Sequence, residues 1–266
     1  MAGFNRSEFV DLTKPLGERL SLYDPTRPPY DQPKNDAADP TKAVPQAFID
    51  AMTVREEVYV KEQNIPLENE LDEDDARSFH WVAYASIPVK AVATNGNGND
   101  QNARKHSDST KIPIGTIRLV PPPHPAHPGH EFTKFAPGNG DSTESYIKLG
   151  RLAVIPEFRK AGVSKLLIES ALTYAREHPY EVGPQLDPAS LEALKKGMAL
   201  NFRGLVLIHA QTGVQKVWKR YGFETDEGAG EWDEEGIPHV LMWKRLDVSD
   251  GRRKSKIWLT GNPTSP

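Results

Sequence analysis

The chain has 266 residues, enough for one large domain or two small ones, and a formal charge of −4, which argues against a dedicated nucleic-acid binder because such proteins are normally basic. It contains no cysteine, so a disulfide framework, a thiolate metal site and a cysteine nucleophile are all excluded. No apolar run approaches the length of a bilayer, and the opening MAGFNRSEFV lacks the order of a secretory signal. The expectation is a cytoplasmic protein, with the nucleus left open and with no nucleic-acid or membrane partner.

Residues 1–43 are polar and proline-rich without a sustained period, and read as an extended arm. In PQAFIDAMTVREEVYVKEQ the residues Phe48, Met52, Val54, Val58 and Tyr59 recur at helical spacing and can share one broad face. HWVAYASIPV and IPIGTIRLVP follow as strands, separated by a low-complexity insertion near 88–111. A second insertion, near 121–144, leads into SYIKLGRLAVIP. In this strand Ile147 and Leu149 are apolar at odd positions, whereas Leu152 and Val154 are apolar at even ones. Side chains alternate strictly along a strand, so one extra residue near Gly150–Arg151, a β-bulge, would keep the apolar set on one side. A strand buried on both faces is the alternative.

A helical stripe at Val163, Leu167, Ala171 and Leu172 comes next, then a third insertion near 179–200 with a short helix at PASLEALKKGMAL. FRGLVLIHA is apolar almost throughout, the pattern of a strand covered on both faces and parallel to its predecessor. Val214, Val217, Trp218 and Tyr221 mark a short amphipathic helix stopped by Gly222, and IPHVLMWKRL closes the core. The domain therefore spans 44–246, followed by a polar tail, 247–266, that carries GRRKSK. The element order describes a mixed α/β (α+β) sheet with a βαβ unit at its centre.

The strand–loop–helix around residues 152–175 is where chemistry can be placed. The first N–H groups of a helix have no partner inside it, and the helix dipole puts positive potential there. Arg159 and Lys160 add full charges, and Gly162 lets backbone approach a ligand closely, which suits a pyrophosphate. Ordinary solvated charges at a helix start are the competing reading. No GxxxxGK[ST] and no GxGxxG motif is present. His124, His127 and His130 are spaced by three in a proline-rich run, which gives them no shared helical face, so no metal is expected.

LAVIPEFRKAGVSKLLIESAL resembles the acetyl-coenzyme A signature of the GNAT superfamily of N-acetyltransferases, [QR]-x-x-G-x-[GA], filled here by Arg159, Lys160, Ala161, Gly162, Val163 and Ser164. Ser164 stands where glycine or alanine is usual. VREEVYVKEQNIP, ELDEDDARSFH and WDEEGIPHVLMWK are similar to the ElaA/YjcF-like branch. The resemblance implies the GNAT fold: a mostly antiparallel twisted sheet flanked by helices, with a central parallel βαβ unit and a splayed, bulged strand. It also implies acetyl-coenzyme A (coenzyme A) as cofactor and an amine acceptor, small molecule or peptide, with homodimerisation left open. Leu152, Ala153 and Val154 would hold the acyl-pantetheine arm through backbone amides. The family places an acidic tyrosine four residues before a GF pair; here Trp218 stands there, on the cofactor side, and Tyr221 precedes Gly222 instead. His209, at the end of an apolar strand, is the candidate general base, and Tyr221 the candidate acid. Glu62 and His239 are candidate acceptor-side residues, while the acidic run from Glu70 to Asp75 reads chiefly as a solvated loop. A coenzyme A-binding protein with little catalysis, and an interaction scaffold, are the alternatives.

Overall fold

β-Branched and aromatic runs become strands, and the 3.6-residue stripes become helices, much as their periods dictate. The computed structural model describes residues 9–32, 39, 43–88, 109–125, 145–184 and 202–248. The short helix expected at PASLEALKKGMAL, His127, His130 and GRRKSK lie outside the described residues. Among the described residues the strands are β1 (Val10–Thr13), β2 (Phe79–Pro88), β3 (Ser109–Val120), β4 (Ser145–Val154), β5 (Phe202–Gln211), β6 (Glu224–Thr225), β7 (Glu231–Glu234) and β8 (Ile237–Arg245). The α-helices are α1 (Gln46–Arg55), α2 (Val163–Glu177), α3 (Pro179–Val182) and α4 (Gln215–Lys219), and a π-helix at Glu56–Glu62 continues α1. The strands hydrogen-bond in the order β1-β2-β3-β4-β5-β8-β6, with β7 also on β8. β4 and β5 are parallel and joined through α2, whereas the β1–β2, β5–β8, β6–β8 and β7–β8 pairs are antiparallel. This is the mixed sheet, with a parallel βαβ unit at its centre, that the resemblance implies.

The chain divides into two compact units, residues 1–117 with 151–167, and residues 118–150 with 168–266. In the first, α1 is buried on several sides rather than along one face. Phe48, Ile49 and Met52 pack with Leu16, Tyr23 and Val44; Ala51 meets Val82 and Tyr84; Val54 and Val58 meet Ala153. Fully burying a side chain such as Phe48 is worth about 2–3 kcal/mol. Residues 10–23, read from sequence as part of an extended arm, depart from that expectation. Val10–Thr13 pairs with β2, and Leu16 and Tyr23 enter the core, because four apolar residues spread over a polar run suffice to anchor an edge strand and its following turn.

In the second unit Leu205, Leu207, Leu241 and Trp243 form a core, and Asp226, itself buried, accepts a hydrogen bond from the Trp243 indole at 3.0 Å. β5 is buried almost continuously, as its composition predicts. Gly204 (φ +91°) is required by close approach: an added Cβ would lie 2.3 Å from the Leu246 carbonyl oxygen. Among the described residues no helix is long and apolar enough to cross a membrane.

Candidate active site

The parallel register of β4 with β5 ends at Leu149–Ile208, and two residues later Arg151 adopts φ +49°. This left-handed residue lies where the apolar phase shift predicts a bulge, whereas the register of β4 on β5 shifts between Ser145 and Tyr146. Burial, however, does not transfer to the even positions: Ala153 is buried against Val54 and Val58, while Leu152 and Val154 are half-buried. The covering helix decides which side of the strand's end is dry, and that information lies outside the strand's own sequence.

Beyond Arg151, Ile155 N–H donates to the Ile114 carbonyl at 3.0 Å and ties the end of β4 to β3. A 3₁₀ turn at Pro156–Phe158 follows, then a loop in which Lys160 (φ +68°) and Gly162 (φ +85°) are left-handed. The Gly162 carbonyl accepts the first intrahelical bond of α2, from Leu166 N–H at 3.0 Å. By helix geometry the N–H groups of Gly162, Val163 and Ser164 find no acceptor inside α2. A Cβ built on Gly162 would meet nothing within 4 Å, so the space over this helix tip is open. Val163 is buried, so it can serve a ligand only through its backbone, whereas Lys160 and Ala161 are exposed and Ser164 is half-buried. The tip is seated tightly over β3: a Cβ on Gly115 would lie 2.8 Å from Val163 Cγ1 and 3.0 Å from Leu167 Cδ1.

Arg159 and Glu62, predicted on separate grounds, meet. Arg159 Nη1 donates to Glu62 Oε1 at 2.8 Å, Nη2 donates to Oε2, and Nε donates to the Val154 carbonyl at 3.0 Å. Hydrogen bonding from Arg159 lowers the Glu62 pKa, and the same bond raises that of Arg159. The guanidinium is thereby fixed beside the loop, with a carboxylate that an incoming anion would displace or share.

A second cluster in this unit was not legible as such. Arg55, fully buried on α1, donates from Nε to Glu70 Oε1 at 2.5 Å, from Nη1 to Asp75 Oδ1 at 2.7 Å, and from Nη2 to the Glu70 carbonyl. Glu70 and Asp75 are 2% and 0% exposed, which corrects the solvated reading of their loop: a buried guanidinium demands buried counter-charges. Burial works against the charged form of Arg55, yet Asp75 and Glu70 together hold its pKa above the ordinary arginine value.

In the second unit His209, on β5, places Nδ1 3.9 Å from Glu234 Oε2 and meets the Trp232 ring edge-on at 5.1 Å. His239, opposite Trp232 on β7, stacks on the same indole at 6.1 Å. Its Nδ1–H donates to the Ile237 carbonyl at 2.8 Å, a bond that leaves Nε2 as the acceptor of the neutral ring. The structure thus brings His209 and His239 together around Trp232, a residue that the sequence reading passed over because a lone tryptophan in an acidic turn carries no pattern. Trp218 is buried on α4, edge-on to Phe223 at 5.2 Å, which leaves its indole little surface to offer a cofactor. Tyr221 is half-buried just beyond α4, and burial, reinforced by Glu169, raises its phenol pKa. His124 stacks on Tyr146, and no group of three metal-ligating side chains occurs among the described residues.

The chain is similar to the uncharacterized N-acetyltransferase YjcF of Bacillus subtilis, 27% identical over 195 residues, covering 73% of this chain and 90% of that one. Among solved structures it is similar to an acyl-CoA N-acyltransferase from Pseudomonas aeruginosa (20% identity, 74% and 89% of the two chains, TM-score 0.42). It is also similar to ElaA of Escherichia coli (18% identity, 76% and 92%, TM-score 0.41). The acetyltransferase (GNAT) family model matches residues 55–198, just over half of the chain and the span that holds the left-handed Arg151, the open loop and the tip of α2. The chain belongs to the GNAT family of acetyltransferases.

Proposed function

We propose that this protein is an acetyl-coenzyme A-dependent N-acetyltransferase that modifies a primary amine, on a small molecule, an amino sugar or a protein, by direct attack in a ternary complex. The observation that carries the reading is the left-handed Gly162 with open space over it, at the tip of a helix that follows an irregular strand. These residues fit a diphosphate: backbone N–H groups at Gly162, Val163 and Ser164 converge with the helix dipole, and Arg159 and Lys160 supply charge. The name of the B. subtilis relative supports the same activity.

Coenzyme A, when bound, supplies the acetyl group as a thioester. The backbone amides of Leu152, Ala153 and Val154 orient the thioester carbonyl and stabilise charge that develops on its oxygen. His209 removes a proton from the attacking amine, and its Nδ1 lies 3.9 Å from Glu234 Oε2. As the C–N bond forms and the C–S bond breaks, Tyr221 gives its phenolic proton to the departing sulfur. A tyrosine phenol holds its proton at neutral pH, and burial raises the Tyr221 pKa further. His239 is assigned to the acceptor, with Trp232 providing an aromatic wall beside it, and the Glu62 carboxylate is assigned to drawing in a cationic amine. Acetyl-coenzyme A turnover against a panel of amines, followed by thiol release, tests the reading.

A second reading, a coenzyme A-binding protein with little catalysis, is favoured by one observation. A buried Trp218 occupies the position where the family resemblance calls for an acidic tyrosine, and indole is no proton donor near neutral pH. Tight coenzyme A binding without turnover across the panel would select it.

A further inference from the structure

We propose that the chain of ion pairs Arg55–Glu70–Arg151, with Asp72 and Asp75, is a positioning device that fixes the left-handed kink of β4 at Arg151 for the thioester carbonyl; this deepens the acetyltransferase reading and rests on it. The kinked residue is the wrong type for its conformation. Arg151 carries a Cβ yet adopts φ +49°, while the adjacent Gly150, which could take a left-handed turn without cost, does not. What holds Arg151 there is its side chain. Nη2 donates to Asp72 Oδ2 at 3.2 Å, and Nε lies 3.3 Å from Glu70 Oε1.

Those carboxylates are themselves immobilised. Glu70 Oε1 also accepts from Arg55 Nε, so a single oxygen bridges two guanidinium groups. Arg55 grips Asp75 with both Nη atoms, at 2.7 and 3.1 Å, and Asp75 Oδ2 accepts the Asp72 N–H at 3.0 Å. His80 closes the far side, with Nε2 3.4 Å from the Asp75 carbonyl. A fully buried arginine on α1 thus organises the loop from Glu70 to Asp75, and the loop presents two acids to Arg151. Apolar filling would stabilise this region as well as a buried charge network does. The network instead ends on the residue immediately before Leu152, Ala153 and Val154, and this termination on a strained residue is what points to positioning.

The test compares coenzyme A with acetyl-coenzyme A by calorimetric titration, since the two ligands differ only in the thioester. Wild-type protein should bind acetyl-coenzyme A about three- to tenfold more tightly, the value of one well-placed amide–carbonyl bond. Arg151→Gly, which can keep the left-handed backbone but loses the tether, should retain coenzyme A affinity within about twofold and lose the acetyl preference. Arg151→Lys should restore part of that preference. Asp72→Asn should reduce it, and should add nothing once Arg151 is glycine. Wild-type preference persisting in Arg151→Gly, or both ligands weakening in parallel, overturns the positioning role and leaves the loop assignment standing. A wild-type protein that binds both ligands equally also overturns it. Absence of coenzyme A binding by the wild type overturns the acetyltransferase reading and this inference with it.

Discussion

Replacing Gly162 by alanine separates what the residue does for the fold from what it does for a ligand. At φ +85° a Cβ costs roughly 1–2 kcal/mol, of which about 0.4–1 kcal/mol is returned because alanine restricts the unfolded chain. Nothing lies within 4 Å of the added carbon, so no packing penalty arises. The net loss of stability should be about 0.5–1 kcal/mol, or roughly 1–4 °C in melting temperature for a domain of this size. Ligand binding should suffer far more. A methyl group over the helix tip keeps a diphosphate from the backbone N–H groups, and losing one charge-assisted hydrogen bond, at about 1.5–3 kcal/mol, weakens binding roughly 10- to 150-fold. Gly230→Ala is the matched control: φ is +68°, the surrounding space is open, and the residue lies far along the chain in the turn before β7. It should lose similar stability and keep coenzyme A affinity. Thermal melts and calorimetric titration give both numbers. A folded Gly162→Ala protein with coenzyme A affinity within about twofold of wild type would refute the diphosphate assignment.

Glu62→Gln removes the carboxylate that holds Arg159 and should tighten coenzyme A binding up to about fivefold at low salt, an advantage that fades as ionic strength rises. Because Arg159 lowers the Glu62 pKa, the native ion pair is complete above the ordinary glutamate value and is lost only as pH falls through the lowered one. Coenzyme A affinity measured between about pH 7 and 5.5 should therefore be flat with respect to this pair. Gly115→Ala should cost about 1–3 kcal/mol in chemical denaturation, because its Cβ would displace Val163 and Leu167 at the start of α2, and should weaken coenzyme A through the shifted tip. Tyr221→Phe should lower kcat and remove the alkaline limb of the rate profile. With the phenol pKa raised, that limb lies above the ordinary tyrosine value near 10, and an unchanged limb clears Tyr221 of the acid role.

The strand, loop and helix proposed to hold a diphosphate were legible because their parts are contiguous: an apolar strand, two cations, a glycine and a helical stripe within one short run. The phase error in β4 pointed to an irregular backbone at Gly150–Arg151, where Arg151 is left-handed, but the buried side chains stay on odd positions throughout, so no extra residue is inserted there. The dry side of the strand's end was not, since Val54 and Val58 set it from nearly a hundred residues upstream. Arg55 looked like one more polar residue on a helix. Its partners lie 15 and 20 residues away, inside an acidic run whose composition is that of a solvated loop. The edge strand at Val10–Thr13 was hidden by the prolines that follow it. His209 and His239 stand on neighbouring strands of known register, yet nothing in either segment announces Trp232 opposite His239.

The π-helical stretch at Glu56–Glu62 has a consequence for how this segment tolerates change. Each such turn takes up about one residue more than an α turn, as the Gln63 N–H reaching back to the Val58 carbonyl shows. Deleting one residue between Glu56 and Lys61 would turn that bond into an ordinary α-helical one and leave everything after it close to its present orientation. Glu62 would still face Arg159, and Arg55, upstream of the cut, would keep its own acids. A one-residue deletion here should therefore be absorbed by the helix, whereas a second deletion would rotate Glu62 away from the loop.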